Sequence, residues 1–73
     1  MVEFEGMAFN IKYLYTIKIT DKTIIEIRLT YGNSDRIVSH DFQYKTSVEA
    51  KEQFQVLMDK IWTAEKIIYS YHN

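Results

Sequence analysis

The hydrophobic period of this chain changes once, near residue 46, and that change constrains the fold more than any other feature. Upstream, apolar side chains recur at every second residue, the repeat of a half-buried strand; downstream they recur every three or four, the repeat of an amphipathic helix. Phe9, Ile11, Tyr13, Tyr15, Ile17 and Ile19 alternate with Asn10, Lys12, Leu14, Thr16, Lys18 and Thr20. Ile25, Ile27, Leu29 and Tyr31 alternate with Glu26, Arg28 and Thr30, and Val38, His40, Phe42 and Tyr44 with Ile37, Ser39, Asp41 and Gln43. From Ala50 the apolar positions become Phe54, Leu57, Ile61, Ala64, Ile68 and Tyr71, one seam uninterrupted by Gly or Pro. Thr46 followed by Glu49 has the spacing of a capping box at the start of that seam. These patterns predict strands over 9–20, 24–31 and 35–44 and a helix over 47–71. The fold class is α+β: a three-stranded antiparallel meander (βββα) with one long C-terminal helix packed on one face, forming a single domain over residues 1–73.

Residues paired across a ladder share a face, so turn length can be tested against the faces. A two-residue turn at Asp21-Lys22 would set Ile17 against Glu26. A three-residue loop, Asp21-Lys22-Thr23, instead pairs Ile19 with Ile25, Ile17 with Ile27, Tyr15 with Leu29 and Tyr13 with Tyr31. At the second break, a tight turn on Gly32-Asn33 pairs Ile27 with Val38, and a longer loop through Ser34-Asp35 keeps the same inner face. The first six residues are open to three readings: a short extra strand with a bulge at Gly6, a flexible tail, or a leader before a second start at Met7.

The chain has 73 residues, no Cys and no Pro, and a formal net charge of −1. No disulfide, thiolate metal site or cysteine nucleophile is available. With 47% hydrophobic residues it is not a disordered chain, and no apolar run approaches the ~18 residues that would cross a bilayer. A soluble cytoplasmic protein without a membrane partner is the expectation. Rich Ile, Lys and Tyr usage suggests a low-GC bacterium, or one of its phages or mobile elements.

Catalysis finds little purchase. Ser39-His40-Asp41 holds the residue types of a nucleophilic triad, but on a strand His40 points opposite to its two neighbours and cannot bridge them. His40 reads instead as an inner-face histidine, hydrogen-bonded to a tyrosine hydroxyl or to backbone. The other histidine, His72, sits beside the C-terminus. The carboxylates show no ligand spacing, and two glycines cannot cradle a phosphate. No enzyme activity, metal or cofactor is expected.

The helix is more informative. Its apolar arc spans about 180°, wider than one helix on a three-stranded sheet covers. Met58, Trp62 and Tyr69 sit about 100° to one side of the seam and need a second cover. Either the N-terminal segment folds over them through Val2, Phe4 and Met7, or a partner does, because Trp, Tyr and Met are enriched at interface centres. The expected function is a small non-enzymatic protein-interaction or inhibitor module that binds a protein partner, a homodimer being the commonest case of such a partner.

The alternative lies on the outer face of the sheet. A three-stranded sheet backed by one C-terminal helix looks like the layout of integrase arm-binding domains and of plant Apetala-type DNA readers. The stretch Phe42-Gln43-Tyr44-Lys45-Thr46-Ser47-Val48-Glu49-Ala50 is loosely similar to the strand-to-helix junction of the plant family, although the Arg and Trp residues with which that family reads bases are missing. The resemblance implies a nucleic-acid surface, for which Lys12, Lys18, Arg28 and Arg36 are the candidates. Double-stranded-RNA-binding domains also end in three strands and a helix, but here Glu49 and Glu52 stand where they carry basic residues.

Overall fold

The computed structural model describes residues 1–30 and 36–71, with side chains described as far as residue 64. In chain order the elements are β1 (Val2–Phe4), β2 (Met7–Phe9), a 3₁₀ turn (Ile11–Tyr13), β3 (Leu14–Thr20), β4 (Ile24–Thr30), β5 (Ile37–Gln43) and α1 (Ser47–Tyr71). β3, β4 and β5 form an antiparallel sheet in that spatial order, and β1 and β2 form a separate hairpin. The α+β meander with a C-terminal helix is thus the observed architecture.

β4 is the central strand and shows the cleanest alternation. Ile25, Ile27 and Leu29 are fully buried, while Ile24, Glu26, Arg28 and Thr30 lie on the other face. The three-residue loop between β3 and β4 is present, with Thr20 opposite Ile24, Ile19 opposite Ile25 and Ile17 opposite Ile27. Lacking glycine, Asp21 and Lys22 both take positive φ, 49° and 64°. The second connection is the longer of the two considered: Leu29, not Ile27, pairs with Val38, and Ile27 pairs with His40. Face parity is unchanged, so Val38, His40 and Phe42 point inward as expected. Gly32-Asn33 and Tyr31, with its expected pairing to Tyr13, lie outside the described residues.

The strand expected over 9–20 is broken in two. Asn10 caps a 3₁₀ turn, its Oδ1 accepting from the Lys12 N–H at 3.0 Å and its carbonyl from the Tyr13 N–H at 3.0 Å. An Asn side chain competes in this way with strand hydrogen bonds, so the chain turns although the alternation continues. A second irregularity follows. Leu14 pairs with Leu29 and Thr16 with Arg28, so Tyr15 is an extra residue bulged out of the ladder. Leu14 therefore takes the inward position expected of Tyr15, and Tyr15 is 56% exposed.

Residues 1–9 form a hairpin rather than a bulged single strand, with Val2 opposite Phe9 and Phe4 opposite Met7. Its two-residue turn, Glu5-Gly6, has φ of 50° and 79°, the signs required by a type I′ turn. Val2, Phe4 and Phe9 are buried, and Phe4 meets Phe42 edge to face at 5.5 Å. That aromatic pair seats the hairpin on the β5 side of the sheet.

The helix begins where the sequence places it. Thr46 Oγ1 accepts from the Glu49 N–H at 3.1 Å, and the Thr46 carbonyl accepts from the Ala50 N–H at 3.1 Å. Ala50, Leu57 and Ile61 carry its buried stripe into the core made by β4 and the hairpin. The helix touches β1, β3, β4 and the 3₁₀ turn. Hairpin and helix thus share the inner face of the sheet, each covering part of it.

Candidate functional site

Helix geometry decides what lies on each flank of the buried stripe. At 100° per residue, Met58 and Trp62 fall on one side of Leu57 and Ile61, and Val56, Lys60 and Thr63 on the other. The N-terminal hairpin runs along the second flank, where Lys60 Nζ donates to the Glu3 carbonyl at 2.8 Å. It does not reach Trp62. Of the two covers considered for Met58 and Trp62, the intrachain one is spent on the opposite side of the helix.

Met58 remains 38% and Trp62 66% exposed. Their flank overhangs β3, an edge strand of the sheet, and the bulge presents Tyr15 to the same surface. Leu14, Tyr15, Ile17, Phe54, Met58 and Trp62 surround a shallow concavity of about 350 Å³ whose lining carries no charged residue. Tyr69, the third residue assigned to this flank, lies outside the described side chains. Tyr15, Leu14 and Phe54 join the surface although the sequence pattern placed Tyr15 and Phe54 in the core and Leu14 on the outer face. The adjacent trio Tyr13-Leu14-Tyr15 was the available signal: three large apolar residues in a row leave the face undecided, and a bulge resolves such a conflict. A larger concavity of about 770 Å³ lies on the other flank, between β1 and the helix, with Glu3, Asp59 and Lys60 on its rim. It carries no exposed aromatic side chain, and Lys60 already bridges it to the hairpin.

The outer face of the sheet gathers only part of the basic set. Lys18 and Arg28 flank Glu26, with Lys18 Nζ at 3.7 Å and Arg28 Nε at 3.0 Å from Glu26 Oε1. Asp41 pairs with Glu26 across the next ladder, so two carboxylates accompany the two cations. Lys12 sits on the 3₁₀ turn with Nζ 5.0 Å from the centre of the Tyr13 ring, and Arg36 precedes β5 at an exposed position. Phosphate would meet a charge-balanced lattice there rather than a basic stripe. Ser39 Oγ donates to Asp41 Oδ1 at 3.3 Å on this face, while His40 lies on the inner one.

Three buried polar atoms have no hydrogen-bond partner among the described residues: Thr16 Oγ1, His40 Nε2 and the Tyr44 hydroxyl. The partner expected for His40 is therefore not found on its Nε2. Glu26 Oε1 also lacks a well-formed hydrogen bond, but the two cations beside it hold it. Burial raises the Tyr44 pKa above its usual 10.0, and the nearby carboxylates Glu5 and Glu49 raise it further.

No helix among the described residues is long and apolar enough to cross a membrane. No family model, curated protein or solved structure matches the chain.

Proposed function

We propose that this protein is a small non-enzymatic protein-binding module, of the adaptor or inhibitor kind, whose contact surface is the Met58–Trp62 flank of α1 together with the adjoining edge of β3. One observation carries the reading: among the described residues, a tryptophan two-thirds exposed lies beside a half-exposed tyrosine and an unpaired strand edge, in a concavity lined by no charged side chain. In a chain this short, apolar area left in water costs stability the domain can ill spare, at ~25 cal/mol per Å². Such a patch, rich in Trp, Tyr and Met, has the composition of an interface centre. The open strand beside it supplies backbone donors and acceptors in a fixed register, the directional component that apolar contact lacks.

The test uses two variants of the full chain, Trp62→Ala and Met58→Ala, each compared with wild type by circular dichroism and by the proteins that co-purify with it, copies of itself included. Exposed side chains contribute little to the fold, so both variants should melt within a few degrees of wild type while losing the complex. An unchanged set of bound proteins in both would remove this surface from consideration.

A further inference from the structure

The docking surface, on the reading just given, has a particular occupant. We propose that it is filled by a second copy of this chain, β3 pairing antiparallel with the β3 of its partner about a two-fold axis at Ile17, so that two three-stranded sheets join into one of six strands.

Three properties of the patch favour a copy of itself. A surface meets itself across a two-fold axis only where it does not oppose its own charges; the lining of the concavity contains none, and Lys18 on the adjoining β3 edge need not face its own copy. A heterologous partner would bring no charge to satisfy here, and any it brought would be buried unpaired. The second property is register. Antiparallel self-pairing that keeps inner side chains on the inner face must be centred on a residue rather than between two. Centring on Lys18 would set one ammonium directly against the other, which is unfavourable in a cross-strand pair. Centring on Ile17 sets Ile17 against itself, Thr16 against Lys18, and Tyr15 against Ile19. The bulge sits at the end of this segment and leaves residues 16–20 in regular pairing with β4, so the register is regular where the two-fold axis would pass.

Area is the third. Trp62 and Tyr15, 66% and 56% exposed, leave roughly 200–300 Å² of aromatic surface in water, taking about 150–250 Å² for each whole side chain. That is about a third of the ~800 Å² per partner that a stable dimer buries. The remainder falls to the β3 edge and to Met58, Phe54, Leu14 and Ile17 beside it. The aromatic pair alone would make a weak contact, and the strand edge alone an unspecific one; on this chain they adjoin.

The sequence contains no cysteine, so a single introduced thiol reports one contact only. Light scattering on a sizing column should give wild type a mass twice the 8.8 kDa of one chain, falling to one chain for Trp62→Ala. In a buffer containing oxidised glutathione, Ile17→Cys should form a disulfide-linked dimer, since directly opposed residues bring their Cβ atoms within about 4.5–5.5 Å, close to disulfide reach. Lys22→Cys, at the hairpin tip, should stay a monomer on a non-reducing gel. Because Ile17 is half-buried, a second arm uses the outer face: Thr16→Cys mixed with Lys18→Cys should give the mixed disulfide in preference to either homodimer.

A wild-type mass of one chain at every concentration overturns the proposal, as does a dimer in which neither the Ile17 thiol nor the mixed pair cross-links. The reading beneath it fails separately. If the chain is a monomer but its co-purifying proteins still depend on Trp62, another protein occupies the surface and only the second copy is excluded. If neither self-association nor co-purification depends on Trp62, both fall.

Discussion

Tyr15 is exposed because one residue too many lies between two fixed points, Leu14 on Leu29 and Thr16 on Arg28. Single residues of this kind set where the domain is strained as well. Asp21 and Lys22 both hold positive φ, a region that costs a residue with a Cβ roughly 1 kcal/mol or more and costs glycine nothing. Lys22→Gly, which removes the Cβ penalty at φ 64°, should raise the urea midpoint, by about 1 kcal/mol of stability at most, with the slope unchanged. The converse holds at Gly6, where an added Cβ would meet nothing within 4 Å but φ is +79°. Gly6→Ala should therefore cost about 1 kcal/mol through backbone strain alone. Tyr44 offers a third case. Its hydroxyl is buried without a partner among the described residues, so Tyr44→Phe should stabilise by about 1 kcal/mol at neutral pH. Because burial, then Glu5 and Glu49, raise its folded pKa above 10.0, the folded state keeps the phenol protonated where the unfolded chain releases the proton. Wild-type stability from this group is complete below pH 10 and is lost as pH climbs through the raised value. Urea titrations of both proteins should show the advantage of Tyr44→Phe widening above pH 10; a constant gap would mean that the hydroxyl does not titrate differently on folding.

Among the elements, two aromatic residues of similar size should behave oppositely. Phe4 is 3% exposed and locks the N-terminal hairpin onto Phe42, so Phe4→Ala should cost about 3–5 kcal/mol. Trp62→Ala, at an exposed position on the helix, should cost a monomer less than about 1 kcal/mol. Denaturation at low protein concentration measures both. The helix, its Thr46 cap, the central strand and the Asp21–Thr23 loop were legible in the sequence because local chemistry and face parity act together there. The long first strand was not. Its alternation runs unbroken from Phe9 to Thr20, and the two devices that interrupt it, the Asn10 side chain accepting from Lys12 and the bulge at Tyr15, each preserve an apolar look while changing the face. Period alone cannot register an inserted residue. Nor could it show which flank of the helix the hairpin would take, since Val2 and Phe4 fit either; the contact of Lys60 with the Glu3 carbonyl and that of Phe4 with Phe42 settle it through tertiary packing. The exposure of Met58 and Trp62 was legible in the width of the apolar arc, whereas that of Tyr15, signalled only by the undecided Tyr13-Leu14-Tyr15 trio, follows from the bulge.

At the scale of the whole molecule the chain is thin, 41 × 28 × 18 Å, with one layer of side chains between sheet and helix. Such a domain has little core in reserve, and a second copy would add burial that folding alone cannot supply. Association of this kind couples stability to concentration, so the melting temperature of wild type should rise as the protein is concentrated, while that of Trp62→Ala should not. Scanning calorimetry at several concentrations reads this directly, and parallel melting temperatures in the two proteins would count against a dimer. The thin architecture also has an order in time. Glu3 and Lys60 are 57 positions apart, and Val2 and Phe4 find their burial only against a helix and a fifth strand made long after them. Loop closure over that span comes late, after the β3–β4–β5 meander has formed from near neighbours. Phe4→Ala should accordingly speed unfolding and leave the folding rate almost unaltered in a stopped-flow chevron. β1 is made before the elements that cover it and is then the last to be protected: through most of folding, the Val2 and Phe4 side chains and an open strand edge are exposed to proteases, to chaperones and to other copies of the chain.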